Sequence, residues 1–551
     1  MGTRGYRIVR CRGRYWVFFN RYDSYPEHLG SSLLASVPID PEVYRVWLKE
    51  QFEFYDAQLA ELEEAFSITE GHMQDLLTTN EAGPVWKQIV SAEQLPSPFC
   101  EVSNDLFIEW VYLMDLDNEA FSVNNTIFFE LSNIPRDRWL RAFEVEESYS
   151  TTVCPEASFN PIIPMYFADA EERDMYNETY RKYSCSKLGI DSKVDIHNAS
   201  IQQNVTVMLL ECFLQPYRSR FWEYLPQWGP EDFAFQELAF AVLSLAAGEY
   251  YLLNPDELYG HYEFVEKSHG FIVSKTPDNK AEMFPIFGQG CHSPGQEAGS
   301  APPGSMYFFE GVLISLVAPK TLQMDADAAI AKAVEFGVQE GKTHFRIVVF
   351  SILTAIFLKV SVEDGVKLVR HTGIIPVTVG LQFQDNILTP SPPAAGTELS
   401  YQAHPGFAVL QDLFDTETSG QFLGFTQGVF PTEIYAEILS YIDPPTQLAC
   451  SKVSKIFRSL CQKRFPLNNK LAIIKFKASA YRHRGVMGQI LDGFGTFTFQ
   501  GTEKTANVSR SSFNPSSPAG PEKNCTRWCP VIGTGARKSV ITQTFLGIAL
   551  D

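Results

Sequence analysis

"FPTEIYAEILSYIDPPTQLACSKVSKIFRSL", Phe430 to Leu460, decides how the chain is read. Pro431 sits at the start of a helical pattern, where its missing N–H costs nothing. Ile434, Ile438, Leu439 and Ile442 then fall within one broad face at helical spacing. Asp443-Pro444 closes that helix and opens a second, which contributes Leu448, Ala449 and Val453. Ser454 caps a third piece carrying Ile456, Phe457 and Leu460. Helices this short are marginal in water, and a unit of about forty residues rarely builds its own core. Each large aliphatic side chain left bare forgoes roughly 1.5–3 kcal/mol, so something must cover this face. The cover is either the rest of the chain or another protein.

Outward from this unit, 429 residues precede Phe430 and the chain ends at Asp551. The spacing and composition predict an α+β fold. A multi-part N-terminal α+β body is expected over 1–285, a disordered loop over 286–305, a β-α-β continuation over 306–387 and a linker over 388–405. The helical unit follows over 428–466, then a β-rich region with a flexible loop over 467–551. "YRIVRCRGRYWVFFN" (6–20) is two apolar runs around Arg12-Gly13, a hairpin signal in which glycine supplies the positive φ. Both faces of these strands are apolar, which predicts a hairpin inside a covered sheet rather than at its edge. Asp40-Pro41 caps and opens a long helix with Val43, Trp47, Phe54 and Leu62 as its buried stripe.

"VMLLECFL" (207–214) and "FAFQELAFAVLSLAAGEYYLL" (233–253) are apolar enough for central helices. "GQGCHSPGQEAGSAPPGS" (288–305) has the composition of a disordered excursion. Strand "MYFFEGVLISLV", helix "DADAAIAKAVEFGVQEG" and the run "IVVFSILTAIFLKV" (347–360) follow as β-α-β, the last read as one buried strand. No leucine-rich, tetratricopeptide, kelch or WD period occurs.

The residues Phe430-Pro431, Glu433-Ile434, Ile438-Leu439-Ser440-Tyr441-Ile442, Leu448, Val453-Ser454-Lys455 and Phe457-Arg458-Ser459-Leu460 resemble the F-box, with Phe and Ile at two places where that pattern has Leu. With "RGYRIVRCRGRYWVFFNRYDSYPEHLG" and "FEGVLISL", the chain also resembles a group of uncharacterised fungal F-box proteins, a likeness that lends no activity. The resemblance implies that the helical face packs on the Skp-type adaptor of a cullin-RING (SCF) ubiquitin ligase. Phe430, Pro431, Ile434, Ile438, Leu439, Ile442, Leu448, Val453 and Phe457 would carry that contact, and the rest of the chain would present an unidentified protein substrate. The competing possibility is a helical end-piece of the body, with Ile438 and Leu439 turned inward.

The net charge of -20 repels polyphosphate and argues against a general nucleic-acid binder. Local exceptions are Arg4, Arg7, Arg10, Arg12, Arg14 and Arg21 near the start and 16 Lys/Arg against 4 Asp/Glu over 451–551, read as solvated faces. Ten cysteines in 551 residues are too sparse for a disulfide scaffold, which suits a reduced, intracellular chain. The start lacks the apolar stretch of a secretory signal, and the 347–360 run is too short for a membrane span.

Chemistry is thinly signposted. "NRYDSYPEHLG" (20–30) gathers Asn20, Asp23, Ser24, Tyr25 and His28, a candidate ligand or enzyme-like site. Neighbouring side chains diverge, however, so a Ser/His/Asp trio so close in sequence rarely converges. A structural turn is expected, with Asp23 and Ser24 bonding backbone amides. "GTGARKS" (533–539) lacks the glycine before lysine that a phosphate loop needs. Cys525 and Cys529 have no second pair at zinc spacing. The expectation is a non-catalytic receptor with no cofactor and no metal; the rival is a ligand-binding or enzyme-like N-terminal domain whose turnover or location the F-box sets.

Overall fold

The computed structural model describes most of the chain from Thr3 to Ala549. The longer stretches outside the description are 80–94, 101–107, 146–150, 154–168, 190–198, 255–270, 276–280, 291–296, 391–403, 421–429, 452–456, 485–489 and 510–524. The molecule combines helices with mixed sheets and is α+β, as the sequence predicts.

The first strands, β1 (Gly5–Cys11) and β2 (Arg14–Asn20), pair antiparallel around Arg12 and Gly13, both at positive φ. This is the tight turn that matches strand twist, and Gly13 serves it as expected. A 39-residue helix, α1 (Pro41–Thr79), follows, and the Asp40 carboxylate accepts the amides of Glu42 and Val43 at 3.0 and 3.1 Å. Strands β3 (Trp110–Asp115), β4 (Ala120–Val123) and β5 (Ile127–Glu130) complete a five-stranded sheet of order β2-β1-β3-β4-β5, with β1 and β3 parallel.

Two expectations are corrected here. β1 is internal and, apart from Arg7, buried on both sides, but β2 is the sheet edge, and Phe18 and Phe19 are exposed. The buried stripe of α1 is Tyr44, Trp47, Leu48, Phe52 and Tyr55, while Val43 and Phe54 face outward.

Helix α2 (Ala170–Tyr180) and strand β6 (Ser184–Lys187) come next, then α3 (Ile201–Tyr224), α4 (Phe233–Ala247) and β7 (Tyr250–Leu253). α4 is apolar nearly all round and almost wholly buried, as a central helix must be. β8 (Met306–Phe309) and β9 (Val312–Leu316) lead through α5 (Ala326–Gln339) to β10 (His344–Phe350), which runs parallel to β9. β11 (Thr354–Glu363) and β12 (Val366–His371) extend this sheet, of order β8-β9-β10-β11-β12-β6.

One face of that sheet packs Leu313, Ile347 and Ile356 against Ala329, Ile330 and Val334 of α5. The other packs Ile314, Val348 and Phe357 against α3, α4 and α6 (Pro405–Gly420). The 347–360 run is therefore two strands. The chain turns at Ser351–Thr354, where the two hydroxyls bond at 2.7 Å and buried Ile352 adopts φ 64°. Part of the segment expected to be disordered is fixed: Ser300 and Ala301 are buried and donate their amides to Glu237 at 2.8 and 2.7 Å.

The helices α7 (Thr432–Ser440) and α8 (Pro444–Ser451) follow. Beyond them, β13 (Leu471–Ala478), β14 (Gly495–Gly501) and β15 (Thr505–Ser509) form an antiparallel sheet with the short strand Phe465–Pro466. β16 (Cys525–Thr534) and β17 (Arg537–Val540) make a hairpin through "GTGARKS", which is not a strand-to-helix phosphate loop. β16 also pairs with β7, and the Phe287 amide donates to the Val540 carbonyl at 2.9 Å. The last strands are thus built into the body.

Candidate adaptor-docking face

Pro431 precedes the first turn of α7, and Glu433 places negative charge at the positive end of its dipole. The entry to the helix is held by aromatic groups. The Phe430 amide donates to the Tyr435 hydroxyl at 3.1 Å, the two rings lie 5.9 Å apart, and Tyr435 meets Phe457 at 4.9 Å. Phe457, Leu460 and Cys461 are helical, so a third helical segment closes against the first.

The inner side of this unit leans on the body. Leu439, Gln447, Leu460, Phe465 and Leu467 are buried, and Gln447 Nε2 donates to the Leu439 carbonyl at the turn between α7 and α8. α8 lies against β7, and Phe465 packs on Tyr250 with ring centres 6.0 Å apart. Among the described residues nothing covers the outer side. Ile434 is 47% exposed, Ile438 44% and Phe430 55%, and Tyr441 at 76% extends the same i, i+4, i+7 row. Tyr441 donates to the Glu437 carboxylate at 3.0 Å.

The face expected from spacing therefore divides in two. Phe430, Pro431, Ile434 and Ile438 look outward, Ile442 is half-buried, and Leu439 turns into the protein. Leu439 is not an outward contact, because successive helical residues point about 100° apart, so with Ile438 facing solvent Leu439 turns onto the body. Phe457 is half-buried between Tyr435 and its own helix. Val453 and the Leu448 side chain lie outside the described residues. Tyr441 is the residue that reasoning from the sequence missed, although its place seven residues after Ile434 was legible.

The N-terminal cluster does not converge. Ser24 is fully buried, receives a hydrogen bond from Asn20 Nδ2 at 2.8 Å, and its carbonyl accepts the Tyr112 hydroxyl at 2.8 Å. A methyl group at Gly5 would strike Ser24 at 2.7 Å, so the turn is pressed against β1. Asp23 is exposed at φ 53°, its carboxylate without the expected amide partners among the described residues. Tyr25 and His28 are exposed beside it. Cys291 and His292 lie outside the described residues, and among the described residues no cluster of His, Cys, Asp or Glu has metal-holding geometry. Among them, too, no helix is long and apolar enough to cross a membrane.

Two buried ionic groups escaped the sequence, and Arg10 belongs to one of them rather than to the solvated face expected of the N-terminal arginines. Arg10 bonds Asp115 at 3.1 Å and Asp232 at 3.0 Å, with Asp117 at 3.6 Å and the Tyr15 ring beneath it. Glu211 meets His404 at 2.9 Å, both buried. Neither has a local pattern, since the partners lie far apart in the chain.

A family model for the F-box domain matches residues 429–468. No curated protein and no solved structure matches the chain, so the wider likeness to fungal proteins gains no support. F-box domains in general bind Skp-type adaptors of SCF ubiquitin ligases, typically as non-catalytic subunits. The uncovered row on α7 lies inside the matched segment, and the chain carries an F-box domain at residues 429–468.

Proposed function

We propose that this chain is a substrate-recognition subunit of an SCF ubiquitin ligase. Phe430, Pro431, Ile434, Ile438 and Tyr441 meet the adaptor, a cullin joins through that adaptor, and the α+β body holds the target. The observation that carries this reading is a helix anchored by Leu439 on one side and apolar yet bare on the other. Its chemistry is proximity: a target lysine held beside a charged conjugating enzyme meets it at a high effective concentration.

The rival, an enzyme-like N-terminal site at Asn20, Asp23, Ser24, Tyr25 and His28, is disfavoured by the burial of Ser24 away from exposed Asp23 and His28. The test is capture of adaptor and cullin by the full chain. Wild type retains both, and Ile434→Asp with Ile438→Asp loses both while its melting temperature is unchanged. Adaptor capture by that double variant would overturn the docking proposal; adaptor without cullin would overturn the ligase role.

A further inference from the structure

The edge of the N-terminal sheet supplies a second surface. In an antiparallel ladder, alternate residues of an edge strand turn their N–H and C=O away from the neighbour. Tyr15 sets the phase for β2: its N–H points outward and donates to the Ser97 carbonyl at 2.8 Å, in an isolated bridge. Val17 and Phe19 share that phase, and among the described residues nothing bonds their outward backbone groups. Such an edge is a template for another strand, and proteins ordinarily blunt it.

Side chains along the edge define what fits. On one face Arg7 is exposed and lies over the Phe18 ring at 5.3 Å. On the other, exposed Phe19 packs on Tyr6 with ring centres 5.7 Å apart. Arg21 is exposed just past the strand end, and Tyr22 and Tyr25 continue the aromatic surface. Arg7, on the neighbouring strand β1 and bonded to Tyr55, and Arg21 put two guanidinium groups beside this edge against the exposed carboxylate of Asp23, in a chain of net charge -20. An added strand alternates its side chains with a period of two, so one set meets Arg7 and the other meets Phe19.

We propose that the Val17–Asn20 half of β2 binds an extended segment of the target protein in which acidic and apolar residues alternate. The segment is added as a sixth strand by main-chain hydrogen bonds to Val17 and Phe19. This names the substrate class and rests on the receptor reading above. A second copy of the chain is a poorer occupant, because it would bring its own Arg7 and Arg21 to the same edge.

The probes are a fluorescein-labelled ten-residue peptide of alternating Glu and Val, its Lys/Val counterpart, and a Glu/Val version with prolines at alternate positions. Anisotropy is measured on the full chain. The Glu/Val peptide binds saturably and the other two do not. Val17→Pro removes one outward amide without touching a bond to β1, and weakens binding at least tenfold. Arg7→Glu with Arg21→Glu, which leaves the edge backbone intact, shifts preference to the Lys/Val peptide.

The proposal is overturned if wild type does not bind the Glu/Val peptide, or if both variants bind it as wild type does. It is also overturned if sedimentation shows a wild-type dimer that Val17→Pro dissolves. Adaptor capture by the same preparations separates the two claims: it persists when the edge proposal alone fails and is lost when the docking reading fails.

Discussion

Glu237 shows how much of this molecule rests on single polar residues. Its side chain is fully enclosed on α4, one oxygen accepts two amides from Ser300 and Ala301, and the other has no hydrogen-bond partner among the described residues. Burial pushes its pKa up, and the two amides and Arg537 only partly pull it back. A carboxyl group with a raised folded-state pKa stabilises the fold below its unfolded value, and that contribution fades as pH rises through the folded one. Glu237→Gln keeps the acceptor and removes the titration. Its melting temperature should therefore gain on wild type between pH 5 and pH 8, followed by calorimetry; a constant difference across that range would mean the carboxyl is already ionised in the fold.

Arg10 gives the opposite case. Replacing it with Met leaves Asp115 buried beside no cation, which costs about 3–5 kcal/mol and should show as a large drop in urea midpoint. Neither residue was legible in the sequence, because Ser300 lies 63 positions from Glu237 and Asp115 lies 105 from Arg10.

At the scale of elements, composition was readable and orientation was not. Asp40-Pro41 marked the start of α1 because capping is local chemistry. The face of α1 was misassigned because apolar residues occupy more than one side, so Val43 and Phe54 compete with Tyr44 and Tyr55 for the same periodicity. The Ser351–Thr354 turn was hidden because it contains no Gly, Pro or Asn; surrounding packing holds Ile352 in a conformation β-branched residues avoid. On α7, spacing identified the apolar face, but which part the body would cover was settled by tertiary contact at Leu439.

α5 supplies an element-scale prediction. Gly337 faces Phe345 of β10, and a Cβ there would sit 2.2 Å from the ring. Alanine gains roughly 1 kcal/mol in helix propensity but forces apart a buried ring, typically at 1–3 kcal/mol. Gly337→Ala should destabilise the protein on balance, measured by thermal melting against wild type.

At the scale of the whole molecule, the F-box is enclosed by the body rather than hung from it. β7 precedes it and β16 follows it, yet these two strands pair, and the β16–β17 hairpin also touches Phe287. Reading along the chain gave a body, a linker, an F-box and a tail, since the sequence contains no sign that residues 250–253 and 529–532 share a ladder. Deleting 467–551 should therefore remove Ile473, Trp528 and Ile532 from the main core and leave an insoluble or protease-sensitive body. A truncated chain that melts like the full one would show the tail to be dispensable.

The central claim is that the bare row on α7 becomes covered when the adaptor binds. Covalent footprinting of side chains, with and without purified Skp-type adaptor, measures this directly. Labelling of Phe430, Ile434, Ile438 and Tyr441 should fall severalfold on addition of adaptor while Leu439 stays protected throughout; unchanged labelling of those four residues at saturating adaptor would contradict it.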